Sequence, residues 1–362
     1  MDQQYVRLGW NSFFEQNYEH HKHKGFLPGR VMLRQNQMYT ICYKEQLLTA
    51  TLSGKFRYKA TAKHHIPAVG DWVLFQWTGQ GQQVVIQNVL PRATSFVRKA
   101  AISGGRRMYK GVLEGGATEQ QVIAANIDTV FIVSGLDQNF DLRRIERYLT
   151  LVYNSGAAPV IVLNKVDLCP QVDHVVNQVK QVAGEVPIHA ISVATQVNMD
   201  VFDRYLQLGK TIVFLGSSGV GKSTLTNALL GEARQKIQTI SDASGKGKHT
   251  TTNAELLFHT SGCLIMDTPG MKEVQLWGDE AQLAQSFDDI SELAKRCKYS
   301  NCRHGNEPGC AVERAIVDGV VSDERLHSYM KQRSELKRLG YKMKQHAKMV
   351  SRKGGGFRDS GR

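Results

Sequence analysis

The order of three short motifs constrains this chain more than any other feature of its 362 residues. Asn164-Lys-Val-Asp167 follows the apolar run Pro159–Leu163, and Gly-Ser-Ser-Gly-Val-Gly-Lys-Ser (216–223) follows Thr211–Leu215. Asp267-Thr-Pro-Gly270 follows Gly262–Met266. Each run is short, apolar and strand-like, so each motif is delivered to the end of a strand, where ligands bind in open parallel sheets. In the ordinary arrangement of such a nucleotide domain the phosphate loop comes first and the base-reading loop late. Here the order is rotated, which makes the chain a circular permutant.

Residues 216–223 lie between a strand and the helical pattern of residues 224–230, the context a phosphate loop requires. Gly216, Gly219 and Gly221 let backbone N–H groups converge on phosphate at a helix N-terminus, with Ser217, Ser218 and Val220 completing the loop and Thr224 opening the helix. Lys222 is suited to neutralising the β- and γ-phosphates, and the Ser223 hydroxyl to ligating Mg²⁺. Guanine offers a donor pair at N1 and N2 that one carboxylate accepts, the role expected of Asp167. Asn164 is expected to read the acceptor edge and the Lys165 stem to cover the face of the base, with Val166 between them. The combination points to GTP and GDP and argues against an adenylate-type kinase. Ser192 lies where a second base-supporting loop is expected, with Val193 in place of the usual Ala.

Asp267 is expected to hold Mg²⁺, and the Gly270 N–H to sense the γ-phosphate. Residues 244–252, rich in Gly, Lys and Thr, read as a switch in which one of Thr250 and Thr251 completes the Mg²⁺ shell. Ras-type enzymes orient the attacking water with a Gln directly after the last glycine of that strand-end motif. Met271 stands there instead, and a thioether cannot replace the amide, so His249 is the expected catalytic group.

Cys297, Cys302, His304 and Cys310 place four borderline-soft donors within fourteen residues. That set suits a closed tetrahedral zinc site, structural because no position is left for water. The intervening loop is too polar to build a core of its own, so the ion is expected to stabilise it. Cys42 and Cys263 read as small apolar residues in or beside strands.

Five short β-rich pieces, residues 29–33, 38–43, 47–52, 71–77 and 83–87, suggest a small barrel of the OB type. Arg30, Lys55, Phe56, Arg57 and Tyr58 are candidates for a nucleic-acid-binding face on it. The formal net charge of +13 suggests a polyanionic partner. Between Lys331 and Arg362 eleven Lys/Arg face only Glu335 and Asp359, in a helix expected to run to about Leu339 and a Gly/Arg/Lys tail suited to RNA. The expected architecture is multidomain. An N-terminal extension with the OB-fold barrel occupies residues 1–115, the permuted α/β P-loop GTPase domain 116–280, and a zinc-binding, mostly helical domain with the basic tail 281–362. The chain start lacks a signal-peptide pattern and no apolar run reaches membrane-spanning length, so a cytoplasmic protein without a membrane partner is expected. Nothing calls for an oligomer, and a monomer is expected.

With the permuted motifs, the barrel and the Cys₃His segment in place, the chain resembles the RsgA/YjeQ family of bacterial small-ribosomal-subunit biogenesis GTPases. The resemblance runs from Val69-Gly-Asp-Trp-Val73 and Ala124-Ala-Asn-Ile-Asp128 through the three motifs to Phe287-Asp-Asp-Ile290 and Glu307-Pro-Gly-Cys310. It implies a GTPase stimulated by the 30S subunit and acting late in its maturation, with barrel and zinc domain touching 16S rRNA. Two rival readings use the same parts: a nucleotide-gated RNA-binding switch that scarcely hydrolyses GTP, and a paralogue with a shifted translation-related role.

Overall fold

The structure is a computed structural model that describes residues 2–60, 63–79, 81–99, 107–109, 112–114, 120–231, 254–267, 280–305 and 307–354. Two compact units emerge, Met1–Val97 with Val122–Val274, and Arg98–Gln121 with Gln275–Arg362.

The first unit opens with helices α1 (Gln3–Val6) and α2 (Ser12–Lys22), each started by a side-chain cap from Asp2 or Asn11. Leu8, Trp10 and Phe14 are buried, and the Trp10 and Phe14 rings lie 4.6 and 5.9 Å from that of Trp72. The barrel then forms from β1 (Leu27–Gln35), β2 (Met38–Tyr43), β3 (Gln46–Leu52), helix α3 (Gly54–Lys59), β4 (Trp72–Trp77) and β5 (Gln83–Val89). Its order β1-β2-β3-β5-β4 closes through a β1–β4 pairing, giving the five-stranded OB-type barrel expected. Alternation fills it: Tyr39 and Ile41, Leu48 and Ala50, and Val84 and Ile86 are buried from one face of each strand.

After β6 (Ser95–Lys99), β7 (Arg107–Tyr109), β8 (Val112–Glu114) and β9 (Gln120–Ala125) come β10 (Thr129–Gly135), α4 (Leu142–Ser155), β11 (Ala158–Asn164), α5 (Val172–Ala183), β12 (Ile188–Ala190), β13 (Thr211–Leu215), α6 (Lys222–Leu230), β14 (Glu255–Phe258) and β15 (Leu264–Asp267). The sheet order is β12-β11-β10-β13-β15-β14, parallel except for β14, which runs against β15. Counted from β13 as first strand, the order reads 2-3-1-4-5-6. The strands therefore keep the places of a doubly wound nucleotide domain whose chain starts at its fourth strand, which is what the motif order implies. Loops after β10 and β13, neighbours in the sheet, meet at its carboxyl edge. The barrel joins this sheet through a β1–β14 bridge at Leu33 and Glu255.

Arg30 is corrected by the fold. Placed by the sequence on a nucleic-acid face, it is only 1 % exposed. Its guanidinium donates to the carbonyls of Leu8, Gly70 and Asn126 and to Thr211 Oγ1, the first residue of β13. A buried cation with four acceptors and no room for a ligand is a structural tie. The same seam explains the Val69–Val73 and Ala124–Asp128 segments. Gly70, at φ +89°, leaves no space for a Cβ, which would lie 2.1 Å from the Ala125 carbonyl oxygen. Asn126 donates to Gly70 O, and Asp128 holds Thr211 N–H and Lys210. Lys55, Arg57 and Tyr58 remain exposed on α3, Tyr58 by 90 %.

In the second unit β7 and β8 pair antiparallel, with Arg107 opposite Glu114 and Tyr109 opposite Val112. Among the described residues four helices follow, α7 (Glu280–Ser286), α8 (Asp288–Ala294), α9 (Ala311–Val317) and α10 (Asp323–Gly354). Arg325, buried on α10, forms an ion pair with Asp289 at the start of α8 and lies over the Phe287 ring. Helix α10 runs to Gly354, well past the expected end near Leu339, because no Gly or Pro between Gly340 and Gly354 interrupts its Lys- and Met-rich sequence. The remainder of the basic tail lies outside the described residues.

Candidate functional site

The phosphate loop connects β13 to α6 as its sequence requires. Gly221, at φ +97°, stands just before α6; a Cβ there would come within 2.4 Å of Asn164 Nδ2, and one on Gly216 within 2.3 Å of the Val133 carbonyl. Glycine is therefore needed because neighbouring strands crowd the loop, as well as for its backbone freedom. Lys222 Nζ reaches over the loop to the carbonyls of Gly216 and Ser217, at 2.7 and 2.5 Å. Ser218, Gly219, Ser223 and Thr224 are exposed around it, and Val220 is buried in the domain core.

Asn164 ends β11 and is buried. Its amide donates to the Val220 carbonyl at 2.9 Å and accepts the Val193 N–H at 3.2 Å. One side chain thus ties the base-reading loop to the phosphate loop and to the loop after β12. Lys165 is left-handed, at φ +69°, and its amine donates to the Gly219 carbonyl at 2.8 Å. Val166 and the exposed Asp167 begin a short 3₁₀ turn. The buried Ser192 hydroxyl donates to the Asp167 carboxylate. Val193 packs into the main core with Ile191 and Phe202, which accounts for a larger apolar residue where Ala is usual. Asp267 ends β15 opposite Glu255. Its carboxylate, like the Ser223 hydroxyl, is a hard oxygen donor of the kind Mg²⁺ takes. His249, Thr250, Thr251, Gly270 and Met271 lie outside the described residues.

Two residues around this site carry no motif signal. Asp137, just after β10, binds Lys165 Nζ through Oδ2 at 2.6 Å and accepts the Asn139 N–H through Oδ1 at 2.9 Å. The Lys165 amine, then the Asn139 N–H, hold its carboxyl below the usual carboxylate range. Arg144, in the first turn of α4, donates to Ser217 Oγ at 3.2 Å and to the Asn139 carbonyl at 3.3 Å. In the sequence only the polar run Asp137-Gln-Asn139 hinted at a loop here.

In the second unit the four predicted donors converge, their ligand atoms all within 4.8 Å of one another. Cys297 Sγ stands 3.9 Å from Cys310 Sγ and 3.7 Å from His304 Nδ1, which is 3.5 Å from Cys310 Sγ. A tetrahedron with metal–sulfur bonds of about 2.3 Å has edges near 3.8 Å, so the set could hold a metal. The protonation pattern agrees. Burial raises the Cys297 thiol, but the N–H groups of Ala311 and Val312 together with hydrogen bonds from Cys302 and Cys310 hold it below its ordinary value. Cys302, despite the N–H of His304, is pushed up to about 11 by desolvation and by the facing Cys310 and Cys297 thiols. Three thiolates repel one another; a dication would relieve that repulsion. His304 is kept neutral chiefly by burial and also by Arg333, leaving its Nδ1 lone pair for a ligand role. Glu307, another residue without an assigned role in the sequence, accepts the N–H groups of Arg303 and Gly305 and lies 3.8 Å from Cys302 Sγ. It thereby fixes the turn in which His304 takes a left-handed backbone, at φ +59°.

Among the described residues no helix is long and apolar enough to cross a membrane. The RsgA GTPase family model matches residues 90–277, and a model described as 50S ribosome-binding GTPase matches residues 211–346, starting at the phosphate-loop strand. The small ribosomal subunit biogenesis GTPase RsgA of Syntrophotalea carbinolica is 41% identical over 91% of this chain and 89% of its own. That of Opitutus terrae is 40% identical over 91% and 88%. Among solved structures, YjeQ from Thermotoga maritima superposes with a TM-score of 0.62 at 27% identity, covering 86% of this chain and 98% of that one. YloQ, described as a circularly permuted GTPase, shares the fold with a TM-score of 0.60 at 23% identity, covering 88% and 98%. With the family model matched over residues 90–277, relatives about 40% identical over nine-tenths of the chain and a solved structure superposing on most of it, the chain belongs to the RsgA GTPase family.

Proposed function

We propose that this GTPase hydrolyses GTP to GDP and phosphate on the small ribosomal subunit, in the cytoplasm and as a monomer, and that 30S binding stimulates its turnover during late subunit maturation. The observation that carries this reading is the Asn164 amide, which spans Val220 O and Val193 N–H and so holds three separate loops as one site. With those loops fixed, the exposed Asp167 carboxylate accepts guanine N1–H and N2–H, oriented by the Ser192 hydroxyl. The Lys165 stem covers one face of the base. Asn164 serves to position these loops more than to read the base, since its amide already has a partner on each side.

Backbone N–H groups of residues 216–224 cradle the phosphates, and Lys222 exchanges its loop carbonyls for β- and γ-phosphate oxygens. Ser223, Asp267 and one of Thr250 and Thr251 would hold Mg²⁺, which supplies charge neutralisation when bound. The Gly270 N–H senses the γ-phosphate. His249 orients the attacking water, the task that Met271 cannot perform, once the 244–252 segment closes. The Cys297, Cys302, His304 and Cys310 cluster holds structural Zn²⁺. Together with the exposed Lys55, Arg57 and Tyr58 on α3 and the basic helix α10, it contacts 16S rRNA.

Multiple-turnover GTP hydrolysis with and without purified 30S subunits tests the proposal. Strong stimulation is expected, and His249→Ala should slow single turnover on saturating 30S by about tenfold or more. Binding to 30S without stimulated turnover would favour a nucleotide-gated RNA switch instead.

A further inference from the structure

The loop after β10 belongs to none of the nucleotide motifs, yet it is fastened to two of them. The Leu136 N–H donates to the Asn164 carbonyl at 2.7 Å. Asp137 Oδ2 holds Lys165 Nζ at 2.6 Å, while the same amine donates to the Gly219 carbonyl at 2.8 Å. Asp137 Oδ1 is in turn fixed by the Asn139 N–H, and the Asn139 carbonyl by Arg144, which also reaches Ser217 Oγ. The ion pair is partly shielded, with side chains 27% and 20% exposed, so water weakens it less than a fully exposed pair. Lysine carries about 2 kcal/mol of rotamer entropy when free. An amine anchored to both a carboxylate and a loop carbonyl has lost that freedom before any ligand arrives.

We propose that Asp137 is a positioning residue for the nucleotide site: by anchoring Lys165 to the phosphate-loop side, it sets how long guanine nucleotide stays bound. The assignment rests on the reading above that Lys165 covers the base. Loss of the anchor frees the lysine, loosens the seam between base loop and phosphate loop, and appears mainly in the dissociation rate, as preorganisation usually does.

The test is displacement of a fluorescent GDP analogue from the full-length protein by excess GDP in a stopped-flow instrument. Asp137→Ala should release it about tenfold faster, the size of a typical coupling between contacting residues. Asp137→Asn keeps an acceptor of the same shape without the charge and should fall between the two. In a Lys165→Met background, measured at saturating nucleotide, Asp137→Ala should add no further acceleration. Unchanged release from Asp137→Ala, or the same acceleration in both backgrounds, would overturn the assignment. Wild-type protein that fails to bind guanine nucleotide would instead overturn the functional reading on which it rests.

Discussion

The nucleotide site and the Cys₃His cluster are organised in opposite ways. The first gathers residues from 136 to 267, and its loops are held by the sheet edge and by side chains that bond to backbone carbonyls across it: Asn164 to Val220, Lys165 to Gly219, Lys222 to Gly216. The second lies within residues 297–310, where a polar loop brings three thiols and an imidazole face to face. A site supported by a packed sheet can be shaped before its ligand arrives. A site made of mutually repelling donors needs its ion to complete the fold.

Metal removal is the strongest way to break that contrast. A structural zinc site contributes on the order of 10 kcal/mol, so chelation, or Cys302→Ala, should disorder the 297–310 loop while guanine-nucleotide binding persists. Hydrogen exchange of the two units, read beside a nucleotide titration, checks this. Equal loss of protection in both units would show that the nucleotide site is not independently shaped. Arg30→Ala should act on the opposite side of the comparison. It removes a donor from four buried acceptors, of which the Gly70 carbonyl keeps Asn126, and should destabilise the first unit by about 3 kcal/mol, with the metal retained, as followed by tryptophan fluorescence during denaturation.

Lys222→Ala should cost roughly a hundredfold in GTP affinity, since it removes two hydrogen bonds to charged oxygens but touches no core residue. An equilibrium titration measures it, and an unchanged melting temperature would separate lost contact from lost fold. Glu307→Ala should weaken zinc affinity by about tenfold or somewhat more, as loss of a group that orients metal ligands commonly does. Competition with a colorimetric chelator reads this, and Glu307→Gln, which keeps one of the two acceptor oxygens, should fall between Glu307→Ala and the wild-type protein.

Sequence made one part of each region plain and hid another. Alternating apolar residues located all five barrel strands, and the glycine spacing, Asn164–Asp167 and the Cys/His spacing each pointed to chemistry that a short stretch of chain can specify. Arg30, Asn126, Asp137, Arg144 and Glu307 work differently. Most of them bond to backbone groups, and a carbonyl leaves no mark on the residue that supplies it. Arg30 is the clearest case: its partners include Asn126, 96 positions away, and Thr211, 181 positions away, so its chemistry resembled that of an RNA-facing cation until the fold buried it. The length of α10 was missed for another reason. Net positive charge suggested a tail, whereas Lys, Arg, Met and Gln are all good helix formers.

The most direct test of a guanine site assembled from rotated motifs is the base preference of Asp167→Asn. Fluorescent guanine and xanthine nucleotides titrated against the zinc-containing variant should show weaker guanine binding, because an amide offers one suitable acceptor where the carboxylate offers two, and a partial shift of preference toward xanthine. Guanine affinity equal to that of the wild-type protein would contradict the account.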